Sequence, residues 1–310
     1  MATRSLETIV FPGGFNLPLW AGLAQGCFEA EGLDLNLHYT ANSVEQMSGL
    51  IHGKYEIGMT GADNVIAYQE GQGEAELTVA PDLFIFMGGD NAFLQLVVQG
   101  DIGSYEDLRG RTLSVDAMTT GFAFVLRAML ENAGIAESEV TFERAGGVLQ
   151  RFEAMKEGKH AGTLLLTPFD LIGEKLGMRV LQSATEVFPS YQGVIGTTRR
   201  GWAAENGEAL TGYIAAYRAA LKWLYDPANR DAASAILCER VPNMQPALAE
   251  ATCAKLLAEP GGFEPEAKLD RPGLATVLEL RSRYGQPQKT LTDPDRYVDL
   301  TWYDAARAKA

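Results

Sequence analysis

One stretch, Ile9 to Gln69, limits the possible folds more than any other, because strand and helix signals alternate along it without a break. A short apolar run, Ile9 to Phe11, ends at Pro12-Gly13-Gly14, which cannot continue a strand. Leu17, Trp20, Leu23, Ala24 and Phe28 then recur at helical spacing, and Gly32 stops that helix. Leu33, Leu35, Leu37 and Tyr39 alternate with Asp34, Asn36 and His38, the period of a strand with one wet face. Ser43 reads as the cap of a second helix carrying Val44, Met47, Leu50 and Ile51, closed by Gly53. Tyr55 to Met59 is a third strand, and Thr60-Gly61-Ala62-Asp63-Asn64 turns into a further helix. Strand, helix, strand, helix, strand specifies a parallel α/β sheet. Ligands of such sheets sit at the carboxyl ends of the strands, where loops feed helix N-termini and free N–H groups converge.

The alternation continues. Ala92 to Gln99 reads as an apolar strand crossing to a second lobe, and Thr112 to Val115 as a strand ending in Asp116 to Gly121. A helix with Phe124, Val125, Ala128 and Met129 follows, then a strand at Val140 to Phe142 that ends in Arg144-Ala145-Gly146-Gly147. Leu149, Phe152 and Met155 mark the next helix, Thr163 to Leu166 a buried strand, and Thr167-Pro168-Phe169-Asp170 a helix start. Val194 to Thr198 is the returning strand. Beyond Trp202 the pattern is helical, at Leu210 to Tyr225, Arg230 to Cys238, Pro246 to Leu257, Leu274 to Tyr284 and Thr301 to Ala308, and these helices are expected to pack on the first lobe.

The runs Pro18 to Leu37 and Gly53 to Gly71 resemble the opening of the type II periplasmic-binding-protein fold. The branch is that of the nitrate-, sulfonate- and thiamine-pyrimidine-binding proteins of ABC importers. Ser104 to Asp116 and Phe152 to Asp170 extend the likeness in order, so it covers most of the chain. It implies an α/β architecture of two lobes, each a mainly parallel sheet flanked by helices, with a cleft between them. Lobe one is residues 1–93 plus 195–310 and lobe two is residues 94–194, with hinge closure around a ligand as the expected motion. The branch also holds cytosolic enzymes: an aromatic sulfinate desulfinase, decarboxylases of the dihydroxyphthalate type and the thiamine-pyrimidine synthase. Aligned on Phe28, the desulfinase's nucleophilic cysteine falls on Gly14, while the synthase's substrate histidine falls on Asn64 and its cysteine-rich run is absent. A decarboxylase, a cofactor-free lyase, stays open as the alternative to simple binding.

At 310 residues and 46% hydrophobic content the chain can bury two medium cores. A formal net charge of −14 argues against nucleic acid or an anionic membrane surface as partner, and no apolar run approaches a membrane span. Cys27, Cys238 and Cys253 are odd in number and not motif-spaced. His38, His52 and His160 form no metal pattern and no nucleotide-binding glycine loop follows a strand, so neither metal nor cofactor is expected. Met1 to Glu7 lacks a basic region, an apolar core and a cleavage site, so the expectation is a cytoplasmic protein. Removal of a leader would instead make it periplasmic and an ABC importer its partner.

The candidate ligand contacts are the polar residues at strand ends. Phe15 and Asn16 follow the first strand, one able to stack and the other to hydrogen-bond, against the plainer reading of packing and capping. Asn42, Ser43, Thr60, Asp63 and Asn64 stand at helix starts that suit a carboxylate, sulfonate or phosphate. Asp63 repels an anion, so it either stabilises its own helix, meets an amine or serves as a base. Thr119 and Thr120 make the matching turn on lobe two, and Arg144 is the cation placed to pair a carboxylate. Thr167, Phe169 and Tyr191 read as cleft walls, with Asp63, Asp116 and Tyr191 as acid or base candidates for an enzyme. Cys27, late in the first helix, reads as a packing residue.

Overall fold

The computed structural model describes residues 3–259 and 261–309; residues 1 and 310, which bound lobe one in the sequence reading, lie outside it. The strands are β1 (Arg4–Val10), β2 (Leu33–Tyr39), β3 (Ile57–Gly61), β4 (Leu83–Gly88), β5 (Gln95–Val98), β6 (Thr112–Val115), β7 (Thr141–Arg144), β8 (Gly162–Leu165), β9 (Arg179–Ser183) and β10 (Val194–Arg199). The first half carries helices α1 (Leu17–Ala24), α2 (Cys27–Ala30), α3 (Ser43–Ile51), α4 (Ala62–Gln69), α5 (Gly121–Asn132), α6 (Val148–Lys156) and α7 (Phe169–Lys175). Then come α8 (Ala184–Val187), α9 (Arg200–Glu205), α10 (Gly207–Tyr225), α11 (Arg230–Arg240), α12 (Pro246–Leu256), α13 (Arg271–Tyr284) and α14 (Thr301–Lys309).

Two sheets flanked by helices make two lobes. The first runs β2-β1-β3-β10-β4 and the second β7-β6-β8-β5-β9. Each is parallel except for the strand that enters from the other lobe: β10 is antiparallel to β3 and β4, and β5 to β8 and β9. Helices of βαβ crossovers cover both faces of such a sheet, which is why β4 and β8 are buried on both sides rather than alternating. One buried cluster holds α1, α10, α11 and α12 against one face of the first sheet. A second is continuous from the other face of that sheet through α13 and α5 into lobe two.

The two crossings meet at Asp90. Its Oδ1 accepts from the Ala92 and Val194 amides at 2.7 and 2.9 Å, tying the outgoing chain to the returning one. Burial pushes its carboxyl up to about 6, against the lowering effect of those two amides.

Several sequence expectations need correction. The helix expected to run to Phe28 is broken at Gly26, whose φ of +68° is the left-handed conformation that glycine adopts without strain. Cys27 therefore opens α2 instead of lying late in α1, although burial raises its thiol rather than activating it. The cap of α3 is Asn42, not Ser43. The strand expected at Ala92 begins only at Gln95, because Ala92 and Phe93 take positive φ at the crossing. The strand β4 escaped notice, since a run apolar on both faces carries no alternation. Finally, α13 does not pack on lobe one alone: it lies between α4 and α5 and so touches both lobes.

Candidate functional site

The carboxyl ends of β1, β3, β6 and β8 open into a cleft between the lobes of at most about 630 Å³, its mouth included. Phe11, Phe15, Met59, Phe122, Val148 and Leu166 make most of its surface apolar. Polar groups enter at three helix starts. The helices α4, α5 and α6 begin after Gly61, Thr120 and Gly147, and none of the three has a side-chain cap. An uncapped start leaves N–H donors for a ligand and carries a partial positive charge. On α3, by contrast, the Asn42 side chain accepts from the Glu45 amide at 2.9 Å and caps the helix. The α6 loop needs its two glycines, because Gly146 sits at φ +84° and a Cβ on Gly147 would lie 3.1 Å from both Ala41 O and Phe11 Cδ1. That close approach lets the Gly147 amide donate to Ala41 O at 2.9 Å, one lobe to the other.

Arg151 is the cation of the wall. It is 3% exposed and donates to the carbonyls of Gly146 and Leu164 at 2.9 and 3.1 Å, which leaves its other N–H groups without an acceptor among the described residues. Burial pulls its guanidinium below the usual value, and the nearby Asp116 charge opposes that pull. Asp116, directly after β6, stands in the same wall. Burial pushes its carboxyl up, the Arg151 charge and a hydrogen bond from Ser43 work against the rise, and its Oδ1 has no partner among the described residues. A carboxyl so placed is suited to holding or giving a proton at the cleft.

Asp63 also lines the cleft, but it is engaged. Arg281, a fully buried residue of α13, grips it with Nε and Nη2 at 2.5 Å each. The same guanidinium donates to Gln72 Oε1 at 3.1 Å and Thr119 O at 2.7 Å, and lies 4.9 Å from the Phe124 ring centroid.

Of the residues singled out in the sequence, Phe15, Thr60, Asp63, Asn64, Asp116 and Thr120 line the cleft. Others stand behind or beside it. Asn16 is buried and donates to the carbonyls of Phe11 and Gly13, so it shapes the loop from within. Tyr191 is buried against Phe122, and burial with the Asp63 charge raises its hydroxyl well above the ordinary value. Thr119 gives its hydroxyl to Glu74 at 2.9 Å, and Thr167 lies fully buried with its hydroxyl 3.4 Å from Asp170. Phe169 packs against Phe152, with ring centroids 5.2 Å apart and planes tilted by 40°. Arg144 is half exposed, paired with Glu74 across the rim of the cleft and not in its lining.

Sequence reasoning passed over Arg151 and Arg281, yet both left a signal. Val148, Arg151, Phe152 and Met155 stand at i, i+3, i+4 and i+7, as do Leu274, Val277, Leu278 and Arg281, and all eight are buried. An arginine inside an apolar stripe is rarely buried without a partner, so each stripe marked a site. Among the described residues, no group of three or more His, Cys, Asp or Glu converges as a metal site, and no helix is long and apolar enough to cross a membrane.

Similarity searches agree with this architecture. Among curated protein sequences nothing matches. Among solved structures, the nitrate-binding protein NrtA from Synechocystis PCC 6803 superposes with a TM-score of 0.82 at 12% identity, covering 99% of this chain and 89% of its own. The alkanesulfonate-binding protein SsuA from Xanthomonas axonopodis pv. citri, bound to MOPS, gives 0.74 at 14%, covering 95% and 96%. The C27S mutant of the enzyme DSZB in complex with biphenyl-2-sulfinic acid gives 0.67 at 12%, covering 99% of both chains. At such identities these neighbours speak to the two-lobed periplasmic-binding-protein-like fold. The sequence match is more specific: residues 16–230 fit the profile described as "NMT1/THI5 like", and the chain belongs to that family.

Proposed function

We propose that this protein binds a small organic anion with a flat apolar or heteroaromatic body in the cleft between its lobes. The observation that carries the reading is the meeting of three uncapped helix starts and Arg151 in one apolar cavity. The acid group is held by N–H donors and the Arg151 fork, and the body lies against Phe11, Phe15 and Phe122. The two lining carboxylates do not oppose this, because Arg281 offsets Asp63 and burial favours the uncharged form of Asp116. Binding of small anions by the nitrate- and alkanesulfonate-binding neighbours supports the same class. The lobe division at residues 93–94 and 194–195 puts the two sides of the cleft on separate halves able to close on a ligand.

A second reading is favoured by one observation, the raised carboxyl of Asp116 beside Arg151. On an aromatic carboxylic acid that pair suits a cofactor-free decarboxylation: the C–C bond breaks, carbon dioxide leaves with the acid's oxygens, and Asp116 protonates the ring carbon left with the electron pair. Thiol chemistry of the desulfinase kind has weaker support, since none of the three cysteines is among the cleft lining. The test is incubation with aromatic carboxylates, aryl sulfonates and the matching neutral amides, reading melting temperature and product mass together. Stabilisation by the acids alone supports binding, and loss of 44 mass units (CO2, on the order of one carboxyl) from a carboxylate supports the lyase. Equal response to acids and amides would sink the anion reading.

A further inference from the structure

The anion-binding reading leaves unexplained why the most deeply buried arginine in the chain stands just behind the cleft and joins groups from both lobes. Arg281 comes from α13, which packs against α4 of lobe one and α5 of lobe two. From lobe one it takes Asp63, in the first turn of α4, and Gln72. From lobe two it takes Thr119 O, directly before the start of α5, and the face of Phe124 within α5. Two of the three helix starts that line the cleft are therefore joined through one guanidinium.

We propose that Arg281 is a positioning residue that latches the lobes: it fixes the spacing of the α4 and α5 N-termini only while the lobes are together. Its two sets of bonds are unequal. The fork to Asp63 is bidentate and charge-assisted, whereas Thr119 O is one neutral acceptor and Phe124 a ring face. On opening, α13 stays with lobe one and the lobe-two contacts part. The contact at the α5 start leaves no slack, since a Cβ on Gly121 would fall 2.5 Å from Asp63 Cβ. Further ties lie on the same flank, where Arg283 pairs with Glu131 and the Tyr284 hydroxyl donates to Glu131 at 2.8 Å. On the opposite flank Lys255 of α12 pairs with the buried Asp170 of α7. The C-terminal helices thus strap lobe two on both sides, with Arg281 the tie that reaches the cleft.

The test needs no ligand, so it stands or falls apart from the anion reading. Arg281→Lys keeps a positive charge for Asp63 but lacks the planar fork that spans to Thr119 and lies on Phe124. If the arginine serves only to neutralise Asp63, lysine rescues it. The double variant Arg281→Met with Asp63→Asn removes both charges together, so that neither is left buried alone. Each variant is checked for folding by circular dichroism and a cooperative melt. Small-angle X-ray scattering then reads the radius of gyration, and hydrogen exchange reads the amides of Gly121 to Ala123. The latch predicts a larger radius than wild type in both variants and exchange about tenfold or more faster at the α5 start, with the far end of α5 unchanged. A folded lysine variant with the wild-type radius overturns the proposal, whether or not local exchange rises. If the variant radii grow but no acid ever binds, the latch stands and the anion reading fails.

Discussion

Replacing Arg151 by methionine separates what this residue does for the fold from what it does for a ligand. In the fold it donates to Gly146 O and Leu164 O at 2.9 and 3.1 Å, holding the loop before α6 against β8. Two hydrogen bonds from a charged donor are worth roughly 1.5–3 kcal/mol each, but methionine also removes a desolvated charge, so the net loss is about 1–3 kcal/mol. In the cleft, pairing an acid through the remaining N–H groups is worth about 1.5–3 kcal/mol, or roughly 10- to 150-fold in Kd. Urea unfolding gives the first quantity. Calorimetric titration gives the second, using whichever aromatic acid stabilises wild type. An affinity within about twofold of wild type, in a variant that remains folded, would refute the placement of Arg151 against the acid group. Arg151→Lys sharpens the result, because it keeps the charge while losing the fork, and intermediate affinity is expected.

Gly121→Ala should weaken ligand binding about tenfold or more, and cost roughly 1–3 kcal/mol of stability, because the new methyl collides with Asp63 and the Tyr191 hydroxyl. A crystal structure of the variant with the cleft unchanged would contradict this. Asp90 is raised from 3.8 to about 6, so the native state keeps a proton that the unfolded chain has lost, and stability falls as pH rises between those values. Asp90→Asn retains the acceptor for Ala92 and Val194, so it should match wild type near pH 4 and exceed it by up to about 3 kcal/mol at pH 7.5. Urea midpoints that run parallel across that range would count against the assignment. For Glu70, burial pushes the carboxyl up, but Lys289, Tyr297 and Arg296 outweigh it and the net shift is downward. Its contribution is therefore present above the ordinary glutamate value and lost as pH falls through the native one. Glu70→Gln should be less stable than wild type at pH 7, with the gap closing towards pH 3 in the same unfolding assay.

What the sequence determined by itself was the fold and the ends of the strands at which a ligand belongs. Alternation in Leu33 to Tyr39 and the glycine breaks after Phe11 and Gln69 are local facts, legible because each residue's spacing and backbone freedom act on its near neighbours. Phe15, Thr60, Asp63, Asn64, Asp116 and Thr120 were in reach for the same reason, being polar or aromatic residues at or within a few positions of a strand's carboxyl end. The partners of charged groups were not. Arg144 has the right place in sequence but is taken by Glu74, from the other lobe and 70 residues earlier. Asp63 is held by an arginine 218 residues away, on a helix whose stripe marks the arginine as buried but does not say which acid it meets. Whether a carboxylate is a base, a latch or one half of an ion pair depends on the dielectric and the nearest opposite charge. Both come from chain segments brought together only when the lobes assemble.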